Sequence, residues 1–293
     1  MKIQGVIPAL VTPLNEDESI NVAVLDKLIN RLIDEKADGF YIGGATGEGF
    51  ALKTENRMIL TEQALKSVNK RTTTIVQVAA ADFSDAIALA KHAEAHGADA
   101  ISATPPAFFE YDDNDVYNYY KKLAGAVNIP VMVYYCPLAG FNVSAQLAAK
   151  LFHDIDNVTS IKWTSANYYE MMRLKELTNG ELDVINGRDE MLLMGLSAGA
   201  DGGIGSNYNY MLKNFKSIYD NFKKGDIASA QAAQFETNRI ISALLKNRII
   251  PTVKLVLEAQ GYNVGNATFP MPRYSDAERE QILNDFRAAG LKI

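Results

Sequence analysis

Short apolar segments of strand-like composition alternate with segments of helical periodicity along the first 225 residues of this 293-residue chain. Most of the strand-like segments are apolar at nearly every position, which is typical of strands buried on both faces of a parallel sheet. Because no linker or low-complexity segment interrupts the alternation, it predicts an α/β protein with a (β/α)8 TIM barrel over residues 1–225. The predicted strands are residues 6–11, 38–43, 73–79, 98–102, 130–135, 157–162, 182–186 and 200–204.

The predicted helices fill the gaps between these strands. A weak repeat, in which Ala-Asp follows a helix and opens a strand, supports the count of units and occurs at residues 37–38, 98–99 and 200–201. A doubly wound sheet is the alternative fold, but the Gly-x-Gly-x-x-Gly turn usual after its first strand is absent from this sequence. The predicted helices are residues 22–36, 54–69, 83–96, 113–126, 144–153, 167–177, 189–197 and 209–223.

Residues 226–293 have helical patterns at 226–247, 250–261 and 275–289, with too few strand-like segments for another α/β unit. Pro251 suits the first turn of the second helix, and Ser275 with Glu278 three residues later suits the start of the third. The sequence therefore predicts a C-terminal helical extension, residues 226–293, that packs on the barrel.

Composition excludes several functional classes. A net charge of −6 without a dense run of Lys or Arg argues against a nucleic-acid partner. The absence of an 18-residue apolar stretch and of a signal-peptide pattern predicts a cytoplasmic protein with no membrane contact. The single cysteine, Cys136, and three histidines leave little for metal chemistry. His92 and His96 have metal-binding spacing, but a solvated helix face is the favoured interpretation, and we predict no metal.

Lys162 is the most informative residue for chemistry, because active sites of (β/α)8 barrels lie where the strands end. It follows Val158-Thr159-Ser160-Ile161, at or near the end of a buried strand. Burial disfavours an ammonium group and lowers its pKa, which makes the amine nucleophilic toward a ketone. A structural lysine paired with carbonyls or a carboxylate is the alternative.

Two other strand ends contribute candidates. Tyr134 and Tyr135 are adjacent, so one can point into the barrel and carry a proton, although a core aromatic is the alternative. The turn over residues 43–48, Gly-Gly-Ala-Thr-Gly-Glu, precedes a helix, and its N–H groups with the Thr46 hydroxyl could hold a carboxylate. A plain connecting turn would have the same composition.

The last two strands also end in polar residues. Asp189 and Glu190 begin a predicted helix, where acids favour the dipole, but they could equally accept hydrogen bonds from a polyol. Ser206, after the eighth strand, could bind a hydroxyl group or belong to a phosphate site.

Together these motifs resemble the pyruvate-dependent class I aldolases of the dihydrodipicolinate synthase and N-acetylneuraminate lyase superfamily. The turn at 43–48, Tyr134 with Pro137, and Lys162 occur in the order and approximate spacing of that superfamily. The resemblance covers essentially the whole chain. It implies that Lys162 forms a Schiff base with a 2-keto acid, that Tyr134 carries a proton, and that Ala45 and Thr46 hold the carboxylate.

The sialic acid lyase branch of this superfamily is the most similar. The segment Lys162-Trp163-Thr164 resembles its lysine-x-threonine segment, which implies that Thr164 contacts the keto-acid portion. Residues 187–190 resemble its Gly-x-Asp-Glu motif. The resemblance thus implies that the polyhydroxyl tail is bound by Gly187, Asp189, Glu190 and Ser206.

Three departures from the lyase pattern are present. Ala45 stands where the lyases more often have serine, and residues 104–109, including Ala107, stand where many relatives have a tyrosine pair. The segment after Pro137 is shorter by one residue. The absence from Leu138 to Phe141 of the arginine usual in dihydrodipicolinate synthases is not such a departure and favours the lyase branch.

The activity implied by this resemblance is reversible cleavage of N-acetylneuraminate, a keto-acid sugar, to pyruvate and N-acetylmannosamine. It implies no metal or dissociable cofactor, and a homotetramer. The alternatives are another pyruvate-dependent 2-keto-acid aldolase or dihydrodipicolinate synthase-like enzyme, and a non-catalytic barrel that binds a keto acid.

Overall fold

The computed structural model describes residues 2–106 and 109–293 and contains eight parallel strands, one in each of the predicted strand segments. The strands pair in the order β1-β8-β7-β6-β5-β4-β3-β2. Between β1 and β2 the connection is a bridge from Ala9 to Tyr41, with the Leu10 N–H donating to the Tyr41 carbonyl at 2.9 Å. The sheet is therefore a nearly closed barrel, and the predicted fold is confirmed. The strands are β1 (Gly5–Pro8), β2 (Gly39–Ile42), β3 (Thr73–Gln77), β4 (Ala100–Ala103), β5 (Val131–Tyr135), β6 (Val158–Trp163), β7 (Asp183–Asn186) and β8 (Gly202–Gly205).

A helix follows each strand, and polar side chains define several helix starts. Asn21, Asp82, Asp112 and Ser144 each accept a hydrogen bond from a backbone N–H in the first turn, as helix N-caps do. The helices are α1 (Val22–Asp34), α2 (Thr54–Val68), α3 (Phe83–Ala95), α4 (Asp113–Ala124), α5 (Ala145–Asp154), α6 (Tyr168–Leu177), α7 (Leu192–Ser197) and α8 (Tyr208–Lys223).

Several boundaries differ from the sequence prediction by up to three residues, and two of these differences have identifiable reasons. β1 ends at Pro8 instead of residue 11, because the Val11 N–H donates to the Asn209 side chain at 3.1 Å instead of to a strand. α7 begins at Leu192 instead of residue 189, because Asp189–Met191 form a 3-10 turn.

The C-terminal helices continue the hydrophobic core outside the barrel. They are α9 (Ile227–Leu244), α10 (Ile249–Ala259) and α11 (Asp276–Ala288), and Leu244, Val253 and Phe286 are buried in the core that also contains the barrel helices. Ser275 and Glu278 form the predicted reciprocal cap of α11. The division of the chain at residue 225 stays a prediction.

A second, smaller core fills the inside of the barrel. It comprises nine buried side chains, one from most strands and none of them charged. These nine side chains fill the interior of the barrel, so a polar site can form only at the carboxyl ends of the strands. Among the described residues, no helix is long and apolar enough to cross a membrane. The inner core contains Ile3, Ile7, Ala9, Tyr41, Ile75, Ala100, Met132, Ile185 and Ile204.

Candidate active site

Lys162 and Tyr134 are paired neighbours on adjacent strands. They lie opposite each other in the register of β5 and β6, near the carboxyl ends of both strands. The Lys162 Nζ atom is 4.3 Å from the centroid of the Tyr134 ring and 4.5 Å from that of the Tyr41 ring. The ammonium group therefore has two aromatic rings around it and little access to solvent.

The Lys162 side chain has the electrostatic environment expected of a reactive amine. The residue is only 5% exposed, and burial lowers its pKa to about 8. Asp189 and Cys136 oppose this shift, because negative charge favours the ammonium form. A substantial fraction of the amine is thus neutral near physiological pH, which is what attack on a ketone requires.

The two adjacent tyrosines of β5 face opposite sides of the sheet, as the strand geometry predicts. Tyr134 is 7% exposed and contacts Lys162, whereas the Tyr135 ring packs 4.3 Å from the Trp163 ring. Burial, with a contribution from Cys136, raises the pKa of Tyr134 well above its usual value. Its phenol is therefore neutral in the free protein and can donate a proton at the barrel mouth.

The turn after β2 and the end of β8 meet through two hydroxyl groups. The Thr46 hydroxyl is 2.7 Å from the Ser206 hydroxyl. The N–H groups of Ala45 and Thr46 donate to no described residue, so they are free to bind an anion. The turn is followed by a 3-10 turn at Gly49–Ala51, and α2 begins only at Thr54, so the donors come from the turn and not from a helix end.

A buried ion pair, which the motif analysis did not select, anchors this turn. Glu48 Oε1 lies 2.6 Å from Lys254 Nζ, and the exposed fractions of the two side chains are 0% and 2%. The Thr268 N–H donates to the other carboxylate oxygen of Glu48 at 2.6 Å, and Lys254 also donates to the Asn266 carbonyl. The turn is thus attached to α10 and to the segment that follows it.

Thr164 and Gly187 occupy neighbouring strand ends and fit only as a pair. A Cβ atom at position 187 would lie 2.0 Å from the Thr164 hydroxyl oxygen, so only glycine leaves that hydroxyl in place. The Thr164 hydroxyl oxygen is buried, and its side-chain hydrogen bond with Tyr134 acts to lower the pKa of that phenol, against the effect of burial. The Thr164 hydroxyl therefore lies beside the Tyr134 phenol near the carboxyl end of β6.

Asp189 is held in place by a residue that sequence reasoning missed. The Asn207 backbone and side-chain N–H groups donate to Asp189 Oδ2 at 2.9 and 2.6 Å. Asp189 is 6% exposed, and burial raises the pKa of its carboxyl group to about 6, although the Asn207 hydrogen bonds act against that shift. The other oxygen, Oδ1, faces Gly205, where a Cβ atom would be 1.9 Å away.

Glu190 is more accessible than Asp189 and pairs with Arg188. The Arg188 guanidinium donates to Glu190 Oε1 from Nε at 2.9 Å, and its Nη2 lies 2.6 Å from the same oxygen. The exposed fractions of these two side chains are 27% and 29%. A ligand hydroxyl could therefore reach either partner of this pair.

Tyr41 is the second site residue that the sequence did not reveal. It lies in the middle of an apolar strand, where an aromatic residue is typical of a core, and its hydroxyl donates to Ser102 at 3.0 Å. Only its contact with Lys162 in three dimensions distinguishes it. Ala107, one of the departures from the lyase pattern, lies outside the described residues.

Comparison with known proteins places this barrel in a family. A profile of the dihydrodipicolinate synthetase family matches residues 2–289. The N-acetylneuraminate lyase of Clostridium perfringens is 34% identical over 282 residues, which is 96% of each chain. The chain therefore belongs to the dihydrodipicolinate synthetase family, and the resemblance inferred from its motifs is confirmed.

Solved structures support the same placement. The Clostridium difficile protein CdNal, solved in complex with mannosamine, matches with a TM-score of 0.94 and 30% identity over 99% of this chain and 100% of its own. The N-acetylneuraminate lyase (sialic acid aldolase) of Aliivibrio salmonicida matches with a TM-score of 0.94 and 28% identity over 100% of this chain and 99% of its own.

Proposed function

We propose that the protein is a class I aldolase, a carbon–carbon lyase that cleaves N-acetylneuraminate reversibly to pyruvate and N-acetylmannosamine. The observation that carries this proposal is Lys162, a buried lysine with a lowered pKa, paired with Tyr134 at the carboxyl ends of two barrel strands. The family relationship and the lyases among its relatives favour this activity over the alternatives.

In the proposed reaction the neutral Lys162 amine attacks the ketone carbon of the open-chain sugar acid. Loss of water gives a positively charged iminium, which accepts the electron pair of the C3–C4 bond as that bond breaks. The C4 hydroxyl loses its proton and becomes the aldehyde of N-acetylmannosamine. Protonation of the resulting enamine at C3, followed by addition of water, releases pyruvate and regenerates the amine.

Tyr134 is the proposed carrier of the C4 hydroxyl proton. Its ring is 4.3 Å from Lys162 Nζ, and a positive iminium at that distance lowers the pKa of the phenol relative to the form in which the Lys162 amine is neutral. In the condensation direction, the neutral phenol donates its proton to the oxygen that develops negative charge. Tyr134 therefore serves both directions from one position.

The remaining site residues are proposed to bind the substrate. The free N–H groups of Ala45 and Thr46 suit the carboxylate, and the Thr164 hydroxyl, which lies beside Tyr134, suits the keto-acid portion. For the hydroxylated tail we propose Gly187, Asp189, Glu190 and Ser206. What supports this is their position at the ends of β7, which neighbours the strand that bears Lys162, and of β8, the next strand in the barrel.

We also propose a homotetramer located in the cytoplasm, with no cofactor and no metal needed for catalysis. The family resemblance supports the tetramer. The iminium itself accepts the electron pair, so the proposed chemistry is complete without a cofactor.

Borohydride reduction in the presence of pyruvate tests the covalent step. We expect loss of activity and the mass of one reduced pyruvyl group on the peptide that contains Lys162. Lys254 is the internal control, because it is also buried but is paired with Glu48. Lys162→Arg should be folded and inactive, since a guanidinium stays charged and cannot attack a ketone. A label on Lys254, or on no lysine, would contradict the proposal.

A further inference from the structure

Two histidines and a glutamate, none of them a residue of the proposed active site, meet on helices outside the barrel. His92 lies in the last turn of α3, His96 is the residue at which that helix ends, and Glu62 lies on the neighbouring helix α2. One ligand atom from each side chain lies within 4.8 Å of the other two. The spacing of His92 and His96 suggested only a surface pair, because the third residue is thirty positions earlier.

The distances suit a common metal ion. Glu62 Oε1 is 2.9 Å from His92 Nε2 and 3.7 Å from His96 Nε2. Ligand atoms about 2.05 Å from a tetrahedral zinc ion are roughly 3.3 Å apart, which falls between these two values. An ion could therefore sit among the three side chains after small shifts of their ends.

The His96 ring is also oriented for ligation. His96 Nδ1 is 2.8 Å from the His92 carbonyl oxygen, which favours the tautomer with the proton on Nδ1 and a free lone pair on Nε2. Metal-binding histidines usually have such a hydrogen bond to the other ring nitrogen. The two rings lie 4.1 Å apart, and the His92 side chain is only 15% exposed, so its ring position is constrained by packing.

His92 already contacts Glu62, and a metal ion on its Nε2 would place the ring proton on Nδ1. In this structure its Nε2 is the atom that contacts Glu62, and its Nδ1 is buried without a hydrogen-bond partner among the described residues. A metal ion would replace the proton that the two side chains share. It would also compensate the Glu62 carboxylate with a full positive charge.

We propose that Glu62, His92 and His96 form a binding site for a divalent transition-metal cation, with zinc as the best match. Two imidazole nitrogens and one carboxylate oxygen are ligands that zinc accepts, and the exposed side of the cluster leaves room for a water molecule as the fourth ligand. The ion would link α2 to α3 on the outer surface. Its role is structural and separate from the proposed lyase chemistry.

Calorimetric titration of the tag-free, metal-stripped protein with Zn²⁺ tests this site. We expect about one zinc ion per chain and a rise in the thermal unfolding midpoint at saturating zinc, because an ion that binds only the folded state stabilises it. His96→Gln and Glu62→Gln should each weaken binding about tenfold or more and remove most of the rise. Both side chains are partly exposed, and circular dichroism checks that the variants fold.

The chain provides a matched control, since it contains only three histidines. His153→Gln removes the third one and should bind zinc as the unmodified protein does. Absorption of the Co²⁺-substituted protein identifies the ligands, because a thiolate charge-transfer band would reveal binding at Cys136 instead. No binding at 100-fold excess zinc over protein, equal binding by His96→Gln and the unmodified protein, or a thiolate band would each overturn the proposal.

Discussion

The buried pair between Glu48 and Lys254 allows a sharp test of how the proposed carboxylate-binding turn is supported. Lys254→Met keeps much of the side-chain volume but removes the only cation within hydrogen-bond distance of Glu48 among the described residues. Glu48 would then be a carboxylate with no exposure and one N–H donor. Breaking a buried pair on one side costs about 3–5 kcal/mol. For a chain of this size we expect a fall of about 6–10 °C in the thermal unfolding midpoint.

The matched control is a surface pair of the same chemistry. Lys246 Nζ lies 3.0 Å from Asp285, but the Lys246 side chain is 64% exposed. Lys246→Met should therefore change the free energy of unfolding by about 1 kcal/mol or less. Scanning calorimetry of the two variants beside the unmodified protein gives the comparison directly.

A double variant separates the lost charge from lost packing. Glu48→Gln with Lys254→Met removes both charges, and glutamine can still accept the Thr268 N–H. We expect the double variant to recover at least half of the stability lost in Lys254→Met. The reasoning fails if Lys254→Met lowers the free energy of unfolding no more than Lys246→Met does. It also fails if the double variant is less stable than either Glu48→Gln or Lys254→Met alone, because burial would then not govern this pair.

Two further predictions concern the reacting groups. The rate of borohydride trapping with pyruvate should rise about tenfold per pH unit below pH 8 and level off above it, because burial lowers the pKa of Lys162 to about 8 and only the neutral amine reacts. Asp189→Ala should reduce kcat/KM for N-acetylneuraminate about tenfold or more, roughly one lost charged hydrogen bond, while pyruvate trapping continues because pyruvate has no tail. Steady-state kinetics and mass spectrometry measure the two effects.

A result that contradicts either prediction would also be informative. A trapping rate that does not change between pH 6 and 9 would mean that proton loss from Lys162 does not limit attack. Loss of pyruvate trapping in folded Asp189→Ala would assign Asp189 to the support of the catalytic centre. Unchanged cleavage of N-acetylneuraminate would leave Asp189 a structural partner of Asn207.

The fold was predictable because it depends on local patterns that repeat. Eight apolar runs with intervening helical periodicity identify the barrel, and the rule that barrel sites lie at strand ends makes Lys162 and Tyr134 candidates. The resemblance to the lyase superfamily was needed to favour catalytic roles over structural ones. The start of α7 was wrong by three residues, since an acidic pair is compatible with both an α-helix and a 3-10 turn.

The contacts that sequence reasoning missed join residues that are distant in the chain. Glu48 and Lys254 are both ordinary surface residue types, and nothing in their local sequence predicts that they are buried together. Asn207 follows the eighth strand and holds Asp189 after the seventh, while Glu62 reaches two histidines from another helix. Such pairings are properties of the packed barrel and not of any segment.

The placement of Lys162 and Tyr134 on paired strands has a consequence for how such a protein can diversify. Their separation is set by the backbone ladder between β5 and β6, where neighbouring strands lie about 4.8 Å apart. The loops that follow the strands can lengthen, shorten or change composition without moving these two groups relative to each other. New substrates can therefore be acquired by exchanging loops at the rim, while the proposed catalytic pair is inherited intact from the sheet.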